Sequence, residues 1–571
     1  MTAEPPASGG STIPSFDLTR RPWIEVLRRD GSQDELSLRQ VFAQADDLRR
    51  IVGELATQEL ALLRLLLAVA HDALDGPGDT EEWADLWGDP ECFAPVQAYL
   101  DTHAERFDLL HPDVPFFQTA GLRTARDEVF PLNRIVADVP NGEPFFTARM
   151  PVVGRLTFAE AARWVVHAHA YDTSGIKSGA VGDDRVKGGK VYPLGTGWAG
   201  QLGGVFAEGG TLRETLLLNL IAADTQELEV AAHDRPAWRR EPCGPGGSER
   251  PATGPRDLYT WQSRRLRLHF DEAGVHGVVL GYGDPLASRN MHRREPMTAW
   301  RRSTTQEKKL RQSPVYLPRE HDPARSAWRG IASLVADRTE ATQGAEAAMY
   351  LRPGVLEWIA RLVTEGQLPR RSLVRARVIG ARYGTQQSVV DDIIDDHLTM
   401  PVVLLHQQDR TYAQQAIGAA EDADLAVRAL GDLAADLAHA AANDREGPRA
   451  AARETGFDML EEPYRRWLSD LAEAGDPFEQ RGAWKQEVRR LVGRLGDRLI
   501  TAAGHAAWQG RTIADKKGTQ WLNDGLADTW FRARLARALG DPGDREGLPE
   551  PVHSSAGTPD TPVLPDTEAH V

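Results

Sequence analysis

Cysteine and long apolar runs are scarce in this sequence. Only two cysteines, Cys92 and Cys243, occur among 571 residues, and they lie far apart. This spacing excludes a disulfide framework and a structural zinc site, and it suits a reducing cytoplasm. The longest apolar stretch, residues 60–70, is interrupted by Arg64 and is too short and too polar to span a bilayer. The polar N-terminus lacks the pattern of a signal peptide, so we expect a cytoplasmic protein with no membrane partner.

Positive charge is also in deficit. The chain has 67 Lys and Arg against 83 Asp and Glu, which gives a formal net charge of −16. A local basic stripe can nevertheless hold phosphates. Residues 289–311 contain eight Lys or Arg, and residues 370–382 contain five arginines and no acid. Each stripe is either a phosphate-binding face or a set of Arg side chains packed on a core.

The common catalytic patterns GxxxxGK[ST], HExxH and GxSxG are missing. One acidic pattern, DDxxD, occurs at Asp391, Asp392 and Asp395. On a helix such carboxylates would face one way and could hold Mg²⁺ against a diphosphate, as in prenyl-transfer enzymes. No second acidic cluster accompanies them, and an acidic solvent-facing stretch is the simpler interpretation. We predict that the chain is not an enzyme, with a DDxxD-dependent prenyl-transfer type enzyme as the alternative.

The chain is too long for one compact core, and its two parts differ in pattern. Residues 54–74 have the length and leucine content of a buried helix, and residues 265–282 alternate like a β-hairpin. The segment 241–255 is rich in Gly and Pro, which predicts an irregular, mobile insertion. Helical patterns joined by short loops follow near residues 409–442, 449–474, 477–509 and 521–539.

The predicted fold class is therefore α+β, with a large mixed N-terminal domain followed by a C-terminal four-helix bundle. The predicted segments are a disordered N-terminus at 1–15, a mixed α+β domain at 16–390, a four-helix bundle at 391–540 and a disordered tail at 541–571. The tail is rich in Pro, Asp, Glu and Thr, which cannot build a core.

A glycine-rich segment, residues 174–182 (SGIKSGAVG), is the clearest candidate for a binding element. Its three glycines let the backbone come close to a partner, and Lys177 adds a positive charge. Such a loop can read a groove through backbone amides or cradle a phosphate. An ordinary structural turn is the alternative interpretation.

Four segments, in this order, resemble segments of the CasA family, the large subunit of the type I-E CRISPR Cascade complex. They are Phe16–Ile24 (FDLTRRPWI), Phe107–Thr119 (FDLLHPDVPFFQT), Ile176–Gly179 (IKSG) and Arg382–Ser388 (RYGTQQS). The resemblance extends from Phe16 to about Gly540. It implies a non-catalytic subunit that recognises the PAM in double-stranded DNA, helps to start target unwinding and R-loop formation, and provides the platform for recruiting a helicase-nuclease. Guide RNA (crRNA) on the other Cascade subunits would read the target sequence.

The resemblance also implies binding residues. The PAM would be approached by the loop residues Gly175, Lys177, Ser178 and Gly179. A wedge that enters the duplex below the PAM would be formed by Gln386 and Gln387, and Thr385 before them would also contact DNA. Because the two glutamines follow Gly384 and Thr385, we expect them on a turn tip ahead of a helix that begins near Val389. A loop with Phe145 and Phe146 would dock onto the complex near the 5′ end of the crRNA.

This sequence departs from the family at two places. The family's minor-groove lysine falls near Gly283, where no lysine stands, and its possible substitutes are Arg289, Arg293 and Arg294. Some relatives carry a cysteine cluster beside the hairpin, whereas here residues 271–274 turn directly, so neither zinc nor another cofactor is implied. A protein- or RNA-interaction scaffold that does not read DNA is a further alternative.

Overall fold

The computed structural model describes residues 14–137, 153–225, 228–336, 347–473, 475–515 and 518–540. It divides into two compact units, Met1–Gln408 and Asp409–Val571. Strands and helices mix in the first unit and helices dominate the second, which confirms the predicted mixed fold with C-terminal helices. Residues 1–13 and 541–571, predicted to be disordered, lie outside the described residues, and so do Phe145 and Phe146.

The regular elements alternate irregularly along the chain. Those of the first unit are β1 (Ile24–Arg28), β2 (Gln33–Leu36), α1 (Leu38–Ala43), β3 (Leu48–Ile51), α2 (Ala56–Leu74), α3 (Thr80–Gly88), α4 (Ala94–His103), α5 (Phe158–Tyr171), β4 (Lys177–Ser178), β5 (Lys190–Val191), β6 (Gly204–Glu208), α6 (Leu212–Leu218), α7 (Pro255–Tyr259), β7 (Arg264–Asp271), β8 (Gly274–Tyr282), β9 (Trp300–Arg302), α8 (Thr304–Leu310), β10 (Tyr316–Pro318), α9 (Ile331–Val335), β11 (Tyr350–Leu351), α10 (Gly354–Thr364), β12 (Leu373–Tyr383) and β13 (Val390–Pro401). Those of the second unit are α11 (Thr411–Ala440), α12 (Glu446–Asp470), α13 (Pro477–Ala502), α14 (His505–Gln509), β14 (Arg511–Asp515), β15 (Gly518–Leu522) and α15 (Asp524–Leu539).

Helix α2 is the centre of the first unit, and almost every residue along it is buried. It contacts α5, α7 and strand β12, which confirms the predicted buried helix. Arg64, which interrupts its apolar run, forms a buried ion pair with Glu295 at 2.9 Å. Without that partner, burial of the guanidinium would be strongly unfavourable. Strands β7 and β8 form the predicted antiparallel hairpin.

Strands β12 and β13 form a long antiparallel hairpin, and β6 pairs with the other edge of β12. One prediction about this region is wrong. A strand, not a helix, follows the tip, and the acidic run Asp391–Asp395 lies within it. Along a strand, residues four apart are separated by about 13 Å, instead of about 6 Å on a helix face, so the carboxylates cannot share one Mg²⁺ as DDxxD chemistry requires. The predicted domain boundary at 390 lies inside this hairpin, and the compact units divide after Gln408.

In the second unit, α11 contacts α12, α13 and α15. Helix α13 begins as its sequence predicts: the Asp476 side chain accepts a hydrogen bond from the backbone N–H of Phe478, and Pro477 occupies the first turn. The pattern predicted as one helix over 477–509 ends earlier, at Ala502, and the short hairpin β14–β15 was not predicted. None of the described helices is long and apolar enough to cross a membrane.

Candidate nucleic-acid interface

The glycine loop, residues 174–182, and the tip of the β12–β13 hairpin, residues 384–389, meet in the folded chain. The backbone N–H of Ser174 donates a hydrogen bond to the carbonyl of Gln387, with 2.8 Å between N and O. Both segments belong to the first unit. The sequence suggested them as separate elements, and the structure brings them together. We call the two segments the loop–tip surface.

The tip is a tight turn with exposed polar side chains. Gly384 closes it by donating its N–H to the carbonyl of Val389 and accepting from the N–H of Gln387, at 3.0 and 2.9 Å. Gln386 and Gln387 have φ values of 55° and 53°, in the left-handed region that residues other than glycine rarely adopt. Both side chains are exposed, as is that of Thr385. Strained residues of this kind concentrate at functional sites.

The glycine loop is anchored from below by buried charges. The Lys177 ammonium lies 2.6 Å from the carboxylate of Asp172, and the guanidinium of Arg264 contacts the same carboxylate. Burial lowers the pKa of Lys177 to about 8, although Asp172 favours its charged form. Burial by itself would raise the pKa of Asp172, but the two cations outweigh it and hold that pKa below its ordinary value. Lys177 therefore does not present a free charge to a partner, which corrects the expectation from sequence.

Tyr282, which the sequence analysis missed, fixes the position of Gly175. Its hydroxyl accepts a hydrogen bond from the Gly175 N–H at 2.9 Å and donates one to the Gly175 carbonyl at 2.7 Å. The cationic groups of Lys177 and Arg264 lie 5.3 and 4.8 Å from the centre of its ring. The tyrosine at the end of a predicted hairpin strand was visible in the sequence, but nothing local linked it to the loop.

Two of the three glycines of the loop, Gly175 and Gly179, have different surroundings. A Cβ on Gly179 would lie 2.5 Å from Cγ1 of Val186, so this position is closed to any side chain. A Cβ on Gly175 would meet nothing within 4 Å, so open space lies beside Gly175, whose N–H and carbonyl are both held by the Tyr282 hydroxyl. Between them, Ser178 is half-buried in strand β4 and pairs with Lys190 of β5.

The three candidate arginines are not equivalent. Arg293 and Arg294 both contact Glu229, at 3.1 and 3.5 Å. Arg289 is exposed and forms no ion pair with any residue that the structure describes. No described contact connects the three to the loop–tip surface. Arg289 is thus the one of the three whose charge is not already compensated by Glu229.

Some arginines of the two basic stripes form ion pairs within the protein, and other cations of the stripes are exposed. In the first, Arg302 pairs with Glu307 at 2.6 Å, whereas Arg301, Lys308 and Lys309 are exposed. In the second, Arg377 is buried between Glu59 at 2.6 Å and Asp395 at 2.8 Å. Within the described ranges, no group of three or more His, Cys, Asp or Glu side chains could hold a metal ion.

The fold and the site define a protein with a mixed first unit, a helical second unit and an exposed polar loop–tip surface. The family model described as CRISPR-associated protein Cse1 matches residues 17–495. This chain therefore belongs to the Cse1 family of CRISPR-associated proteins. Because a similar curated protein bears the double name CasA/Cse1, the resemblance to the CasA family is confirmed.

Similar proteins support this assignment along the chain. The crystal structure of Cse1 from Thermobifida fusca is 57% identical with a TM-score of 0.85, and the match covers 92% of this chain and 98% of that chain. The CasA/Cse1 protein of Thermus thermophilus is 28% identical over 453 residues, which cover 76% of this chain and 80% of that protein. A chain of a structure titled "CRISPR RNA-guided surveillance complex" shares the fold at 19% identity, with a TM-score of 0.57 and coverage of 86% and 99%.

Proposed function

We propose that this chain is the PAM-reading subunit of a type I-E CRISPR Cascade complex and that it acts by binding DNA, not by catalysis. Its partners would be the other Cascade subunits with their crRNA, the double-stranded target and a helicase-nuclease recruited to the complex. Membership of the Cse1 family supports the assembly, and so does the fold shared with a chain of a surveillance complex. The strand geometry of Asp391–Asp395 removes the main argument for an enzyme.

The observation that carries the proposal is the hydrogen bond from Ser174 to Gln387, because it joins a backbone-presenting loop to a side-chain-presenting tip. The minor groove offers a degenerate pattern of acceptors and one donor, which suits backbone and small-residue reading. Gly175 would approach the PAM there, since no side chain stands in the way.

The tip would act on the next base pairs. Gln386 and Gln387 are uncharged and exposed, so they could displace a paired base and hydrogen-bond its edges. Opening a duplex step costs a few kcal/mol, while formation of an R-loop is a near-balanced exchange of base pairs. A contribution of this size at the first step would therefore decide whether unwinding starts.

Further contacts are carried over from the family resemblance. Arg289 is the strongest candidate for the missing groove lysine, because Arg293 and Arg294 share Glu229. Phe145 and Phe146 would dock the chain near the 5′ end of the crRNA. The helicase-nuclease would bind the assembled complex, and the cutting chemistry would belong to that partner.

The proposal is tested with a crRNA-loaded complex purified without this chain. Adding the purified chain should produce co-migration with the complex and binding of a target duplex that depends on the short flanking motif. A duplex with the same target and an altered flank serves as the control. Equal duplex binding with and without the chain, or with either flank, would contradict the proposal.

A further inference from the structure

A cavity of about 330 Å³ lies in the first unit and is lined by residues to which no binding role is assigned above. One wall is the irregular segment 241–255, and another is part of the family-like segment 107–119. The segment 241–255 is irregular as predicted, yet it is held by specific contacts: Arg250, for example, forms a two-fold hydrogen bond with Asp257 at 2.6 and 2.9 Å. The volume is at the lower end of the roughly 300–1,000 Å³ typical of small-molecule sites.

Arginines dominate the charged lining, and we call the space the arginine cavity. The lining cations are Arg106, Arg240, Arg250 and Arg265, and the buried lining acids are Asp257 and Asp284. Asp257 is occupied by Arg250, and Asp284 accepts from Arg265 at 2.5 Å. The only further acid of the lining is Glu241, whose side chain is exposed. Two guanidinium groups therefore remain without a buried carboxylate of their own.

Arg106 and Arg240 are these two groups. Arg106 donates to the backbone carbonyls of Arg240 and Ala237, at 2.8 and 3.3 Å, and no carboxylate lies within ion-pair distance of it in the described ranges. Arg240 donates to the Arg235 carbonyl and the Thr253 hydroxyl, at 2.9 and 2.7 Å, and among the described residues its one acidic partner is the already paired Asp257, at 3.4 Å. Burial lowers the pKa of both groups, which reflects charge held away from water. Such charge attracts an anion, because an anion would offset the desolvation of both guanidiniums.

One aromatic residue of the lining, Phe117, has a strained backbone conformation. Phe117 has a φ of 52° and stacks on Phe116 with 4.3 Å between ring centres. Trp238 lines the same wall. A bulky residue in the left-handed region is uncommon and occurs mostly where the surroundings enforce it, as at ligand sites.

We propose that the arginine cavity binds a phosphate group, carried by a small molecule or by the end of a nucleic-acid strand, with Arg106 and Arg240 as its charge partners. The guanidinium fork matches phosphate geometry in a bidentate manner. A phosphate monoester carries about −1.5 to −2 at neutral pH, which suits a lining in which four arginines face two buried carboxylates. The cavity is too small for a duplex. The inference does not depend on the proposed DNA reading.

The test is calorimetric titration of the full-length chain with four probes: inorganic phosphate, adenosine monophosphate, adenosine, and a short oligonucleotide with a 5′-phosphate. Phosphate-bearing probes should bind and adenosine should not. Tightest binding of phosphate or the mononucleotide identifies a free small molecule, and tightest binding of the oligonucleotide identifies a strand end. Arg106→Gln should weaken binding by about tenfold or more, because a charged hydrogen-bond donor is lost. Arg29→Gln, at an exposed arginine, is the matched control and should bind as the wild type does.

Misfolding of Arg106→Gln would also abolish binding, so a second measurement tests the arginine cavity in the wild-type protein. Cys243 lines the arginine cavity and is half-buried, whereas Cys92 is buried elsewhere and serves as the reference thiol. The phosphate-bearing probe that binds should slow alkylation of Cys243 and leave that of Cys92 unchanged. Absence of binding by every phosphate-bearing probe, unchanged affinity in Arg106→Gln, or an unchanged alkylation rate of Cys243 would each overturn the proposal.

Discussion

The two halves of the loop–tip surface are built in opposite ways. The glycine loop is fixed by a buried cluster of Asp172, Lys177, Arg264 and Tyr282, so what it presents is backbone in a set position. The tip is held by hydrogen bonds within its own turn and by the single bond from Ser174, so what it presents is side chains. The glycine loop is therefore suited to reading a surface, and the tip is suited to entering one.

The largest expected effect concerns the buried anchor of the loop. Asp172→Asn leaves two buried cations without their shared carboxylate, and breaking a buried pair in this way costs about 3–5 kcal/mol of unfolding free energy. Asp127→Asn is the control, because Asp127 pairs with Arg123 in an exposed position and should contribute at most about 1 kcal/mol. Denaturant unfolding compares them. Similar losses in both variants would show that the loop is not anchored by this cluster.

A pair of glycine substitutions separates packing from recognition. Gly179→Ala places a methyl group against Val186 and should lower the unfolding free energy by about 1–3 kcal/mol. Gly175→Ala meets open space and should leave stability almost unchanged, but it should weaken duplex binding by the assembled complex if the backbone reads the groove. The measurements are unfolding and duplex affinity for each variant. Wild-type duplex affinity in Gly175→Ala would exclude a close backbone approach there.

The smallest effect is expected for the hydroxyl that holds Gly175. Tyr282→Phe keeps the ring beside the two cations but removes both hydrogen bonds to Gly175, which should cost about 1–2 kcal/mol. Hydrogen exchange of the Gly175 amide should accelerate, while exchange in helix α2 stays slow. Unchanged exchange at Gly175 would mean that another group holds the loop.

The elements that local pattern specifies were predictable. Helix α2, the β7–β8 hairpin and the exposed turn at Gln386 follow from leucine content, alternation and a Gly-containing turn. Strand β13, which follows the tip, was not predictable. Its four aspartates disfavour a strand, although the segment also contains the β-branched residues Val390, Ile393 and Ile394. Pairing with β12 overrides the low strand propensity of aspartate.

Partners distant in sequence explain the remaining differences. The stripe at 370–382 is basic by composition, but Arg377 is neutralised by Glu59 and Asp395, and Arg375 lies 3.2 Å from Glu208. Lys177 is a similar case. Its neighbours in the loop suggest an exposed charge, but in the folded chain it pairs with Asp172. Charge patterns locate candidate surfaces, whereas tertiary contacts decide which charges are available.

The proposed opening of the duplex by the tip is tested by Gln386→Ala with Gln387→Ala in the assembled complex. Binding is measured on a fully paired target and on a target already unpaired beside the PAM. Because opening a step costs a few kcal/mol, the variant should bind the paired target at least about tenfold more weakly. Its affinity for the unpaired target should hardly change, and Gln33→Ala, at an exposed glutamine of β2, should affect neither. Equal losses on both targets would contradict the claim.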